Sequence, residues 1–310
     1  MRVVEAQSEY LKHEGDPYKF IEKIGRTCYK SEENITDTSA VTFVGGLVKR
    51  NHWAMLEHVW LHMRIGSIEV ELHELFDVHE KYLVKTVLGL DTIISGSFRA
   101  FYESHFFEEN KNVRYYLQQT YPEVFGECDE MDFRKSVHVE ELSDEELIKL
   151  MTHKKCKKEV IMKHIPHTVK FICDRGVSHE FVRHRAASFA QESTRYCNYT
   201  KGKFGSEITV IRPVFYEKGS KNYEIWEKAM EDAERSYNEL IEEGGKPQEA
   251  RSVLPTSLKT ELMVTASEEE WQHIINLRHK GTTGAPHPQI IQSMELVVEE
   301  LIANSEGRLE

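Results

Sequence analysis

The chain has 310 residues, of which 40% are hydrophobic and 30% charged, and its formal net charge is −12. This is the composition of a globular protein, and its acidic balance argues against a broad nucleic-acid surface, which needs a basic face. No run of about 18 apolar residues marks a membrane span, and Met1 to Tyr10 lacks the apolar core and cleavage site of a signal peptide, so a cytoplasmic location is expected. The five cysteines, Cys28, Cys128, Cys156, Cys173 and Cys197, form no CxxC pair and read as free thiols. A net negative protein binds a small anion only where it gathers arginines locally, so arginine clusters are the places to look.

Asp16-Pro17 reads as a helix start, with Asp as N-cap and Pro at the first helical position. Phe20, Ile21, Ile24 and Cys28 follow at helical spacing. A second helix is expected over residues 39–51. Val59, Leu61, Met63 and Ile65 alternate with Trp60, His62 and Arg64, the pattern of a strand. Within 66–165 the expectations are a strand over 92–97, a helix through Phe101, a helix over 112–121 and an acidic turn over 127–132. Ser143 with Glu146 forms a capping box opening a further helix. Thr168 to Cys173 is a short apolar strand. Ser178 is then expected to cap a helix that carries Arg183, His184 and Arg185, with Val177 and Val182 at hydrophobic-staple spacing. A long amphipathic helix spans 220–243 and closes at Gly244-Gly245. Pro247 opens a short helix through Leu254. Leu258, Leu262, Val264 and Ala266 fit one face of a strand. Ser267 with Glu270 is a second capping box, and its helix runs through Arg278. A last helix from Pro288 places Ile290, Ile291, Met294, Val297, Val298, Leu301 and Ile302 on one face.

The densest polar patch is the run from Arg183 to Tyr196, with three arginines, a histidine and several hydroxyls. On a helix Arg183 and Arg185 would point about 200° apart, so they would face two different partners. Gln191 to Arg195 reads as a loop, whose backbone N–H groups with the Ser193 and Thr194 hydroxyls suit a phosphate clamped by Arg195. The competing reading of such a run, from charge alone, is a solvated helix face.

Arg183-His184-Arg185, seven residues and then Ser193 resemble the RHR-x7-S signature of the flavin-dependent thymidylate synthases. The resemblance extends to Arg195-Tyr196, to Lys49-Arg-Asn-His52 through Glu57-His58, to Ala250-Arg-Ser-Val-Leu-Pro255 and to Asn276-Leu-Arg278. These blocks stand in the family's order, over residues about 20–65 and 166–300. An RHR alone would be a weak signal, and the ordered set is a strong one.

The resemblance implies an α+β fold, a sheet packed against helices, in one catalytic domain over 1–310 with a family-variable insertion at 66–165. It implies conversion of dUMP to dTMP, with 5,10-methylenetetrahydrofolate as carbon donor and FAD, reduced by NADPH, as hydride source. It also implies a homotetramer with shared active sites. By position, the FAD contacts would be Cys28, His52, Glu57, Arg183, His184, Arg185, Gln191 and His273. The dUMP contacts would be Glu180, Arg183, Gln191, Glu192, Ser193, Thr194, Arg195, Arg251 and Arg278. Arg278 would be the catalytic group, stabilising negative charge on the uracil ring. Read without the family, Arg278 is as well explained as a cation at a helix C-terminus. This chain departs from the commoner family pattern at several positions. Glu180 stands for a frequent glutamine, Gln191 for an acid and Ala54 for a hydroxyl residue. Ser267 and Glu269 stand where some members have Asn and Arg.

No metal is expected, since no HExxH motif occurs among the sixteen histidines. A catalytic Cys197 is not expected either, because the family uses no cysteine nucleophile. Two other readings stay open: a nucleotide-binding protein without turnover, and a metal-dependent hydrolase using the histidines. The flavin reading predicts a yellow protein whose visible absorption is bleached by NADPH. A colourless protein that takes up no added FAD rules it out.

Overall fold

The structure is a computed structural model that describes residues 1–13, 15–67, 81–128, 136–195, 198–200 and 207–310. It opens with strands β1 (Arg2–Val4) and β2 (Gln7–Leu11). Helix α1 (Pro17–Tyr29) starts where the Asp16 carboxylate accepts from the Tyr18 N–H at 2.8 Å. Helix α2 (Ser39–Lys49) and a 3₁₀ segment over Trp53–His58 lead into β3 (Trp60–Ser67). Strands β4 (Val84–Leu88) and β5 (Asp91–Ser97) precede four short helices, α3 (Phe98–Tyr102), α4 (His105–Glu109), α5 (Lys111–Thr120) and α6 (Pro122–Phe125). After β6 (Val137–Leu142) comes α7 (Asp144–His153), whose Ser143–Glu146 capping box is complete. Then follow α8 (Lys158–Met162), β7 (Pro166–Asp174), α9 (Arg175–Phe181), β8 (Ser188–Gln191) and β9 (Thr209–Ile211). The chain ends with α10 (Lys221–Glu242), α11 (Pro247–Ala250), β10 (Lys259–Ser267), α12 (Glu268–Arg278), α13 (Pro288–Glu295) and α14 (Val298–Asn304).

Helix and sheet are mixed as expected, but among the described residues two four-stranded antiparallel sheets replace one central sheet. Their orders are β2-β7-β10-β8 and β4-β5-β3-β6, and β1 and β9 form a small parallel pair. Residues 84–142 therefore supply three of the four strands of the second sheet. The acidic turn expected over 127–132 lies partly outside the described residues.

Strand alternation decides how the first sheet is covered. Leu262, Val264 and Ala266 of β10 point to one face with Val169, Phe171 and Cys173 of β7, under α9, α12, α13 and α14. The odd residues of β10 point the other way, where Met263 joins the core beneath α1, α2 and the 3₁₀ segment.

Between the two sheets runs a buried polar seam. Thr265 Oγ1 lies 2.7 Å from His58 Nδ1 and 2.6 Å from Thr168 Oγ1, which lies 2.6 Å from His13 Nε2. Ser95 Oγ lies 2.8 Å from His62 Nδ1 and 2.7 Å from His164 Nδ1, and His62 Nε2 meets Asp144 at 2.7 Å. Removing a polar group from water is tolerable only when it is hydrogen-bonded, and this seam meets that condition almost throughout. His58 Nε2 is the exception, buried with no partner among the described residues.

Three local expectations are corrected. The helix after β7 begins at Arg175 with Asp174 as N-cap, and it ends at Phe181, before the arginines. The Asp174 carboxylate accepts from the Val177 N–H at 2.7 Å, while Ser178 is a buried residue inside the helix. The helix stops because β8 must pair with β10 from Ser188 onward, so residues 182–187 reverse the chain. Val182 is 43% exposed, so it staples nothing. The expected C-terminal helix is two helices broken at Leu296-Val297, where Val297 takes φ −139° and is buried. At α12 only half of the expected capping box forms, with Ser267 accepting from the Glu270 N–H.

Burial lowers His13 to about 4, His58 to about 3 and His164 to about 3. The unfolded chain would protonate these rings near pH 6.5. Stability is therefore full above about pH 6.5, and it falls with acid as the unfolded chain takes up protons that the folded one refuses. Thermal melts between pH 7.5 and 5 should show Tm dropping. His164→Gln, which keeps donors and acceptors for Ser95 and Thr86, should flatten that slope.

Candidate functional site

A cavity of about 700 Å³ opens between the turn after α9 and helix α12. Its lining includes Glu180, Arg183, His184, Arg185, His273 and Arg278, and the loop from Thr283 to His287 closes one side. Gly281 makes that closure possible. It adopts φ +69°, and a Cβ there would stand 2.9 Å from Pro286 Cδ.

Arg278 is the most constrained group in the cavity. It sits in the last turn of α12, where its charge also opposes the helix dipole. Its Nε donates to His184 Nε2 at 3.1 Å, Nη1 donates to the Glu180 carboxylate at 2.7 Å, and Nη2 donates to the Glu180 carbonyl at 3.0 Å. A guanidinium has five N–H groups; three are engaged here, and the other two have no partner among the described residues. His184 is buried and its Nδ1 lies 3.2 Å from Glu270 Oε1. The His273 ring meets it edge-on, with centroids 5.5 Å apart.

His184, Glu270 and His273 also bring one ligand atom each within 4.8 Å of one another, a spacing that suits a cation. The guanidinium on His184 Nε2 opposes that use, since a metal would lie close to a fixed positive charge. The three groups are better described as hydrogen-bonded and ring-packed.

A second patch lies at the end of β8. The Gln191 amide donates to Ser178 Oγ at 2.9 Å and Thr260 Oγ1 at 3.2 Å, which ties it to the strand-helix junction. Beyond it, Ser193 Oγ accepts from the Arg195 N–H at 3.4 Å, and Arg251 reaches Thr194 Oγ1 at 3.4 Å. Glu192 is buried and accepts from Lys259 Nζ at 2.9 Å. Lys259 also binds Glu261 at 2.6 Å, Lys170 binds Glu261 at 2.7 Å, and Lys30 contacts the same carboxylate. Burial alone would raise the Glu261 carboxyl, but Lys259 and Lys30 outweigh it and hold it at about 2.

The remaining expected residues form a third patch. His52 Nδ1 bonds the Tyr29 hydroxyl, and the two rings stack. Glu57 accepts from Arg99 Nη1 at 2.7 Å. Cys28 is in the core, where burial pushes its thiol up to about 12, so it is a buried core residue rather than a nucleophile. Cys197 and Tyr196 lie outside the described residues.

The expected residues thus divide among a cavity around Arg278, the β8 loop with Arg251, and the end of α1 with the 3₁₀ segment. Reasoning from the sequence missed Glu270, the lysines 30, 170 and 259, Glu261, and the loop over the cavity. Glu270 was hidden behind its capping position. The loop did carry a signal in Gly281-Thr-Thr-Gly-Ala-Pro286, punctuation directly after a helix end.

The cavity thus presents Arg183, Arg185 and the fixed guanidinium of Arg278 in its lining. The model of the thymidylate synthase complementing protein family matches residues 84–303, and the chain belongs to that family. Among its relatives is the flavin-dependent thymidylate synthase of Pyrococcus furiosus, 35% identical over 121 residues, 39% of this chain and 49% of that protein. The flavin-dependent thymidylate synthase of Sulfurisphaera tokodaii is 36% identical over 104 residues, 34% of this chain and 38% of that protein. The chain spans about half or less of the length of these curated relatives. A crystal structure of the UMP/dUMP methylase PolB from Streptomyces cacaoi bound with 5-Br UMP gives a TM-score of 0.41 at 21% identity, covering 53% of this chain and 83% of that one.

The lysine-carboxylate cluster braces the β8 loop. Lys259→Met removes a hydrogen-bonded cation from both buried Glu192 and Glu261, and should cost roughly 3 kcal/mol. Denaturant melts that show an unchanged midpoint refute this bracing role.

Proposed function

We propose that this protein is a flavin-dependent thymidylate synthase that reductively methylates dUMP to dTMP. 5,10-Methylenetetrahydrofolate is the carbon donor, and FAD with NADPH is the hydride source. Family membership supports the reaction class. The observation that carries the reading is Arg278, held by three hydrogen bonds at the wall of the cavity with two N–H groups unengaged. A guanidinium fixed in place before the substrate arrives stabilises negative charge on a uracil ring without reorganising at the moment of reaction.

The donor set suits the cofactor. Arg183 and Arg185 line the cavity beside His184, and guanidinium groups match the pyrophosphate of a dinucleotide. When bound, the flavin supplies the hydride equivalents. The protein's own residues bind, orient and exclude water. Ser193, Thr194, Arg195 and Arg251 are assigned to the nucleotide phosphate, where backbone N–H groups and a cation act together. Glu192 is assigned an indirect part, since its carboxylate is held by Lys259. Gln191 likewise acts by fixing the junction of β8 with α9. Glu180 reaches the nucleotide through Arg278, which neutralises it. Cys28, His52, Glu57 and His273 are assigned to the flavin.

In this reading the protein works as a homotetramer with shared active sites. Each chain acts as one catalytic domain, in which the segment after β3 supplies three of the four strands of the second sheet. Among the described residues no helix is long and apolar enough to cross a membrane.

The Glu180–Arg278 ion pair favours one alternative, a nucleotide-binding protein without turnover, because it partly neutralises the charge on which the reaction depends. Tritium release from dUMP labelled at C5 separates the two. Turnover is expected, and Arg278→Ala should lower kcat by roughly 10²–10³-fold while the fold persists. Wild-type turnover in that variant overturns the role of Arg278, and absence of turnover in the unaltered protein overturns the enzyme reading.

A further inference from the structure

We propose that Glu270 is a positioning residue for Arg278, acting through the ring of His184. This rests on the reading that Arg278 works on the bound nucleotide.

The argument is one of donors and acceptors. Every N–H of a guanidinium donates and none accepts. Arg278 Nε lies 3.1 Å from His184 Nε2, so that ring nitrogen must offer a lone pair. The ring proton then sits on Nδ1, which lies 3.2 Å from Glu270 Oε1. A carboxylate at that point accepts the Nδ1–H and selects this tautomer over the other. The opposite tautomer would aim an N–H at the Arg278 N–H. Glu270 therefore decides whether the third hydrogen bond of Arg278 exists.

The framework keeps this chain of contacts rigid. Glu270 stands in the first turn of α12, where its N–H is held by the Ser267 hydroxyl at 3.3 Å. Arg278 stands in the last turn of the same helix, on the order of 12 Å along the axis. His184 spans the gap from the turn after α9, and its burial shields both contacts from water. Glu180 holds the other two nitrogens. With Glu180 alone, the guanidinium can still swing about that contact. With His184 oriented by Glu270, its plane is set from two sides. Nothing in the family signature points to Glu270, whose place in the sequence is that of an ordinary N-terminal helix acid.

The rival use of the same atoms is a cation on His184, Glu270 and His273. A cation on His184 Nδ1 would put the ring proton on Nε2 and break the contact with Arg278. The two uses thus predict opposite tautomers.

The test is histidine-15N NMR on the full-length protein, unaltered and as Glu270→Ala and Glu270→Gln, with dUMP turnover measured in parallel. The unaltered protein should show His184 protonated at Nδ1, unaffected by EDTA. Glu270→Ala should lose that signature and lower kcat roughly tenfold, as loss of an orienting partner does, while KM for dUMP stays near its unaltered value. Glu270→Gln, whose amide oxygen accepts the same bond, should restore both. An unchanged His184 tautomer in Glu270→Ala overturns the proposal, as does a Gln variant as impaired as the Ala one. An Nε2–H ring that responds to EDTA overturns it in favour of a cation. The NMR arm needs no turnover, so if dUMP is not converted the functional reading falls while the tautomer result still decides the proposal.

Discussion

Strand β10 is the constraint on which the rest of the molecule depends. It pairs along its whole length with β7 and, over residues 262–265, with β8. Its even residues Leu262, Val264 and Ala266 are buried under the helices of one layer. A fully buried aliphatic side chain contributes about 1.5–3 kcal/mol, so this face alone strongly specifies the register. A slip of one residue would turn those side chains toward the polar seam and drive Glu261 and Thr265 into an apolar core. Because Ser267 both ends the strand and caps α12, the same register fixes where Glu270, His273 and Arg278 emerge.

The chain is acidic overall, yet it gathers cations around the cavity and at the end of β8. The structure resolves that tension by giving its most constrained cations carboxylate partners. Arg278 has Glu180, and Lys259, Lys170 and Lys30 share Glu261, with Glu192 also on Lys259. Such pairs offset the cost of removing charge from water, and they hold the side chains in one geometry rather than several. Arg278 is the instructive case, since its partners fix it without exhausting its donors. Rigidity and residual hydrogen-bonding capacity coexist because a guanidinium has more N–H groups than its protein partners take up.

The elements with strong local signals were legible. Asp16-Pro17, the Ser143–Glu146 box, the alternation from Val59 to Ile65 and the long helix after Ser220 all form as their residue patterns predict, because caps and periodicity act within one or two turns. The helix bearing the arginines was misplaced for a non-local reason. Its end is set by the need for Ser188 to reach β10, roughly seventy residues later in the chain, and no local residue announces that. The polar seam was equally hidden. Its histidines are scattered from His13 to His164, and each looks like a surface residue until two sheets close over it.

The sequence by itself determined the family. The ordered blocks around Arg183, Arg251 and Arg278 carry the resemblance, and the family model matches residues 84–303, because residue types and their spacing can be read without the fold. Tertiary structure alone decided how those residues work. It placed Arg183, His184 and Arg185 in a turn, separated the expected contacts into three patches, and joined Arg278 to Glu180 and, through His184, to Glu270. Hydrogen bonds depend on distances between segments far apart in the chain, and only the packing of β10 and α12 brings those segments within reach.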